Sequence, residues 1–113
     1  MTYEGIADAI AEIASSIGCK SAYRQWPKDS APPPPYVLFY FAGSDNVYAD
    51  DCELIKIANL NIELYTDNKE PALEDSLERK MKELELNCQK SETYIQSEEM
   101  YEVLYETEVI IDG

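Results

Sequence analysis

The chain has 113 residues, the length of one domain that can bury a core without metals or disulfides. Its 23 acidic and 9 basic residues give a formal charge of −14, and it has no histidine. This balance argues against a nucleic-acid surface, which needs clustered Lys and Arg, and against an anionic membrane. The lack of histidine removes His-dependent triads, the usual neutral-pH base and the commonest transition-metal ligand.

Thr2 is placed to cap a helix that starts at Tyr3. Ile6, Ile10, Ile13 and Ile17 form its apolar stripe, Ala7, Ala9, Ala11 and Ala14 fill around it, and Gly18 is its stop. Met1 to Gly18 lacks a basic leading region and carries Glu4, Asp8 and Glu12, so no signal peptide is expected. Ser21 to Trp26 reads as a short strand. Pro27 to Ala31 and the four prolines Pro32 to Pro35 cannot be helical and read as a stiff connector.

Tyr36 to Phe41 is apolar on both parities, as in a central strand covered on both faces. Ala42 to Glu53 reads as a turn-rich acidic loop. From near Leu54 a strand follows, in which Ala58, Leu60, Ile62 and Leu64 alternate with Asn59, Asn61, Glu63 and Tyr65. Thr66 to Asn68 break that period. Pro71 suits a helix's first turn, and Leu73, Leu77, Met81 and Leu84 make the stripe of a second helix. Glu70, Glu74 and Asp75 lie near its start and Lys80 and Lys82 near its end, as the helix dipole favours. Asp75–Arg79 and Glu78–Lys82 are i,i+4 pairs.

Asn87 to Glu92 reads as a connector entering a strand that continues through Thr93 to Ile95. Ser97 to Glu99 make a turn. In Met100 to Ile111, Tyr101, Val103, Tyr105, Thr107, Val109 and Ile111 share one face; Glu102, Glu106 and Glu108 take the other, interrupted by Leu104 and Ile110. The expected fold is α+β: a mostly antiparallel mixed sheet with two helices packed on one face, residues 1–113 forming a single domain. The opposite face carries Glu63, Glu102 and Glu106 and must meet water or a partner.

No catalytic constellation is visible, and the expectation is a protein that is not an enzyme and uses no cofactor. Gly5, Gly18, Gly43 and Gly113 are the only glycines, so no phosphate-cradling loop exists, and no serine sits in a G-x-S-x-G setting. Asp45, Asp50, Asp51 and Glu53, with Asn46 nearby, could offer oxygen ligands to Ca²⁺ or Mg²⁺. Their spacing is not that of an EF-hand, and no metal site is expected. The loop is either solvated or a contact for a partner through Asp45, Asn46, Val47, Tyr48, Asp50 and Asp51. Cys19, Cys52 and Cys88 are odd in number, lack a C-x-x-C and have no electropositive setting, so they read as free packing thiols in a reducing cytosol.

The run IELYTDNKEPALEDSLE, Ile62 to Glu78, resembles the LYT-x-x-K-(D/E)…E-x-x-(I/L)-E segment of small phage and prophage head–tail proteins. Further landmarks are Trp26-Pro27-Lys28, the entry Pro34-Pro35-Tyr36-Val37, the loop Ser44 to Asp50, and the closing Tyr101…Tyr105 strand. Together the chain resembles the tail terminators, or tail-completion proteins, of long-tailed phages of Gram-positive bacteria, from about Ala22 to its end. The resemblance implies an α+β fold and a structural role in the virion tail, assembled in the host cytoplasm. It implies a ring, commonly a hexamer, that caps the tail tube and joins it to the head. The implied partners are further copies of the chain, the tail-tube protein and a head-completion or connector protein, with no stable nucleic-acid binding and no membrane. Gly43 to Asp51 corresponds to a loop available for ring or tube contacts, and Glu63, Glu102, Glu106 and Glu108 are candidates to line the channel. Two alternatives are a head-completion protein of the same connector and an acidic decoy that mimics DNA to block a nucleic-acid-binding protein.

Overall fold

A computed structural model describes residues 1–50 and 52–112, with the backbone alone at 53 and 54. Among these residues the elements run α1 (Tyr3–Ser16), β1 (Lys20–Tyr23), β2 (Tyr36–Ser44), β3 (Val47–Ala49), β4 (Cys52–Thr66), α2 (Pro71–Glu83), β5 (Gln89–Ile95) and β6 (Met100–Ile111).

Both helices begin and end for local reasons. Thr2 Oγ1 accepts the Gly5 N–H at 3.0 Å and opens α1. At its other end Cys19 N–H reaches the Ala14 carbonyl at 2.8 Å and Gly18 N–H reaches Ser15 at 3.0 Å. This paired closure needs a left-handed residue at Gly18, whose φ is 79°. Helix α2 has Pro71 in its first turn and closes the same way, Leu86 N–H to Met81 at 3.0 Å and Glu85 N–H to Lys82 at 2.9 Å. Here the left-handed position is held by Glu85, with φ 61°.

The strands form one sheet in the order β1-β2-β4-β6-β5, with β3 paired to the far end of β4. Only β1–β2 is parallel. A parallel pair needs a crossover of about a dozen residues, and residues 24–35, with the prolines, supply it. The connector thus returns the chain to the start of β1's neighbour and lays Trp26 on the outer face of β2. The Trp26 and Tyr36 rings meet edge to face at 5.4 Å, and Tyr36 lies 5.1 Å from Tyr65. Tyr36, Val37, Leu38 and Phe39 are therefore all buried, as the unbroken apolar run predicts.

On the helix side, Ala58, Leu60, Ile62 and Leu64 are buried with Val103, Tyr105, Val109 and Ile111 against Ile6, Ile10, Ile13, Leu77 and Met81. Thr107 shares this face and donates its hydroxyl to the Asn87 carbonyl at 2.9 Å. The α+β expectation, two helices on one face of a mostly antiparallel mixed sheet, matches this architecture.

Two boundaries differ from the sequence reading. The first short strand spans Lys20–Tyr23 and not Ser21–Trp26, because Arg24 takes a left-handed φ of 66° and turns the chain into the crossover. The larger difference is the acidic loop. Strand β2 runs on to Ser44, β4 starts at Cys52, and β3 pairs with it, so Ala42–Glu53 is mainly β-ribbon.

Candidate functional site

The ribbon and the uncovered sheet face are the places where this fold leaves side chains unclaimed by the core. The ribbon is held at its base by two residues of the loop expected to contact a partner. Asp45 N–H donates to the Ile57 carbonyl at 2.9 Å, and Asp45 Oδ2 accepts from Asn59 Nδ2 at 3.1 Å. Asn46 Oδ1 accepts the Ile57 N–H at 3.1 Å. Asp45 and Asn46 thus stitch the bend to β4 and hold the ribbon in place. Asp50 lies in the turn with φ 50° and is exposed. Asp51 lies outside the described residues.

Val47 and Tyr48 are exposed on the ribbon, at 41% and 63%. Val47 stands opposite Ile55, itself 40% exposed. Two residues along β4, Ile57 pairs with Ile110, which is 60% exposed. Val47, Ile55, Ile57 and Ile110 form an aliphatic island where the ribbon joins the open face. Sequence reasoning named only Val47 and Tyr48. The signal for the rest was present as Ile55, Ile57 and Ile110 on the parity opposite to the core residues.

The four glutamates named from sequence do share the open face, but in two different settings. Glu106 and Glu108 are exposed and stand opposite Asn61 and Asn59 on β4. With Asn87 and Gln89 these four residues line a shallow trough of about 620 Å³. Glu63 and Glu102 are half-buried and converge on one phenol: Tyr65 Oη lies 2.9 Å from Glu63 Oε1 and 2.7 Å from Glu102 Oε2. Asn61 Nδ2 donates to Tyr40 Oη at 3.1 Å, and the Arg24 guanidinium lies 4.7 Å from the centre of the Tyr40 ring. Burial pushes the Glu63 carboxyl above its ordinary value and the Glu102 charge adds to this, against hydrogen bonds from Tyr65 and Tyr40 and the charge of Arg24. Burial and the two adjacent carboxyls push the Tyr65 hydroxyl far up, so it stays a donor.

A second polar cluster went unnoticed in the sequence. Glu74 on α2 is buried, and Lys69 Nζ approaches it at 2.9 Å while Lys90 Nζ on β5 approaches at 2.8 Å. Lys69 also contacts Glu92. Glu78 turns to Lys90 at 2.8 Å and to the Tyr105 hydroxyl at 2.9 Å, away from the Lys82 pairing expected along the helix. Asp75 and Arg79 do pair, at a loose 3.9 Å and exposed. Burial pushes Glu74 up, but the two lysines outweigh it and hold the carboxyl below its ordinary range. No spacing rule finds this cluster, because Lys69, Glu74 and Lys90 meet only through the tertiary fold.

Chemically these groups hold the fold together and present a surface. Among the described residues no three His, Cys, Asp or Glu side chains gather to hold a metal ion. Cys19 is buried and Cys88 half-buried, and burial raises both thiols. Among the described residues no helix is long and apolar enough to cross a membrane. Comparison with known proteins found no matching family and no matching curated protein.

Proposed function

We propose that this chain is a structural assembly protein of a phage or prophage tail, a terminator that forms a ring, commonly of six copies, on the tail tube and joins it to the head. The reading rests on the sequence landmarks from Trp26 to Tyr105 and on one structural observation. That observation is the aliphatic island of Val47, Ile55, Ile57 and Ile110 at the root of an exposed ribbon. A chain of charge −14 gains nothing in solubility from four clustered aliphatics outside its core. They suit contact with a neighbouring copy or with the tube protein. The role is non-catalytic, and its partners are further copies, the tail-tube protein and a head-completion protein.

The acidic strip Glu102, Glu106 and Glu108 along β6 favours a second reading, a decoy of nucleic acid. The apolar island beside the strip, and the engagement of Glu102 with Tyr65, support it less. Sedimentation velocity at physiological salt separates the two. A terminator gives a ring-sized species that Val47→Asp with Ile110→Asp reduces to monomer while the far-UV spectrum is kept. A monomer at every concentration that binds a basic protein, and loses it in salt, overturns the terminator reading.

A further inference from the structure

We propose that Glu63 and Glu102 share one proton through Tyr65, making the open sheet face a pH-responsive surface whose side chains rearrange when that proton is lost. The argument is one of counting. Two oxygen–oxygen contacts meet at the Tyr65 hydroxyl, 2.9 Å to Glu63 and 2.7 Å to Glu102. Each has the length of a normal single O–H···O bond, yet a phenol carries one hydrogen. A second proton completes the arrangement: Tyr65 donates to Glu102 over the shorter contact, and a protonated Glu63 donates to Tyr65. Without it, Glu63 would set a charged oxygen against the phenol's lone pairs, with Glu102 as a second negative charge at the same hydroxyl.

The surroundings fit this assignment. Glu63 lies on β4, half-buried beside Tyr40 of β2, which accepts from Asn61 and is positioned to donate to Glu63. Arg24, following β1, is the cation whose charge acts on Glu63, and its guanidinium spreads over the Tyr40 ring. From β6 comes the opposing charge of Glu102. Tyr36 of β2 packs on the Tyr65 ring and itself feels Glu98 from the β5–β6 turn and Glu63. Burial and Glu102 favour the neutral Glu63, in line with its raised titration. When the proton leaves, two carboxylates compete for one donor, and one of them must turn to water. The open face then gains a full negative charge in the middle of the sheet.

The test follows the glutamate side-chain carboxyl carbons and the Tyr65 ring carbons by NMR from pH 3 to 9 in the intact chain. The expected result is that Glu63 titrates above the other glutamates, with a matching second inflection at Glu102 and Tyr65. Glu102→Gln keeps a hydrogen-bonding group and removes the charge, so it should bring the Glu63 midpoint down toward the ordinary range. Tyr65→Phe should abolish the shared inflection, and Tyr40→Phe should not. Independent titration of Glu63 and Glu102 in the ordinary range, or a Glu63 midpoint unmoved by Glu102→Gln, overturns the proposal. Should Tyr65→Phe fail to fold, the wild-type and Glu102→Gln curves alone decide it.

Discussion

Lys90 Nζ lies 2.8 Å from Glu74 Oε1 and fastens the outermost strand, β5, to a carboxylate buried on helix α2. Lys69, in the turn before the helix, holds the same carboxylate from the other side. A charge taken out of water is tolerable only when paired in this way. Removing Glu74 leaves two partly exposed ammonium groups that can rehydrate, so Glu74→Ala should cost about 1–3 kcal/mol. The exposed Asp75–Arg79 pair predicts a contrast: Asp75→Ala should change stability by less than about 0.5 kcal/mol. Urea denaturation of the two variants measures both, and equal effects would show that burial does not matter here.

The same cluster sets a pH window. Glu74 titrates below its unfolded value, so its contribution is present above about pH 4.3 and is lost as pH falls through the folded value. Lys69 and Lys90 titrate above their unfolded values through hydrogen bonds to Glu74 with Glu92 and Glu78 respectively. Their contributions are full below about pH 10.4 and are lost as pH rises through the folded values. Glu63 has the opposite sign to Glu74: its raised value makes ionisation a penalty that grows as pH climbs from about 4.3 to the folded value. Glu63→Gln should therefore gain stability over the wild type as pH rises across that interval, whereas Glu74→Gln should fall behind the wild type as pH rises from the folded Glu74 value to about 4.3. Urea midpoints measured every half unit of pH show the two trends, and parallel curves would refute them.

Much of the fold was legible because its signals are local. Leu60 and Ile62 alternate with polar neighbours, Ile6 and Ile10 keep a helical period, and Thr2 and Gly18 mark the ends of α1. The ribbon was not legible, since Val47 to Ala49 is too short to show alternation, and its pairing with β4 is fixed by Asp45 and Asn46 bonding to residues more than ten positions away. Likewise Glu63 and Glu102 could be placed on one face by parity. That they meet at Tyr65 depends on the β4–β6 register, in which Tyr65 stands opposite Glu102.

Salt should strengthen self-association. Each copy carries −14, so assembling a ring gathers like charge. The screening length falls from about 30 Å at 0.01 M to about 10 Å at 0.1 M salt, which weakens repulsion between exposed carboxylates such as Glu106 and Glu108 on neighbouring copies. The proposed contact through Val47, Tyr48, Ile55 and Ile110 is apolar and would survive screening. Sedimentation across a salt series, with duplex DNA present, should show larger species as salt rises and no stable DNA complex. Tyr48→Ala should lower the association constant without moving the urea midpoint. Dissociation with rising salt would mean that charge pairing, and not the island, joins the copies.

Glu85 offers a gain in stability. It occupies the left-handed position that closes α2, with φ 61°, where α1 uses Gly18 at φ 79°. Its N–H bonds to Lys82 and the next N–H to Met81, so the closure itself is complete and only the residue type is unfavourable. A non-glycine residue in this conformation is strained by roughly 1–2 kcal/mol. Glycine removes that strain and returns about 0.4–1 kcal/mol through the greater freedom of the unfolded chain. The exposed Glu85 carboxylate, near the negative end of the helix dipole, is lost in the same step, which adds a smaller gain. Glu85→Gly should thus stabilise the protein by about 0.5–1 kcal/mol and raise the melting temperature by a few degrees. Glu85→Ala keeps the strain while removing the charge, so it separates the two contributions: it should recover only the dipole part. Calorimetry of the three proteins side by side tests this, and an alanine variant as stable as the glycine one would assign the whole effect to charge.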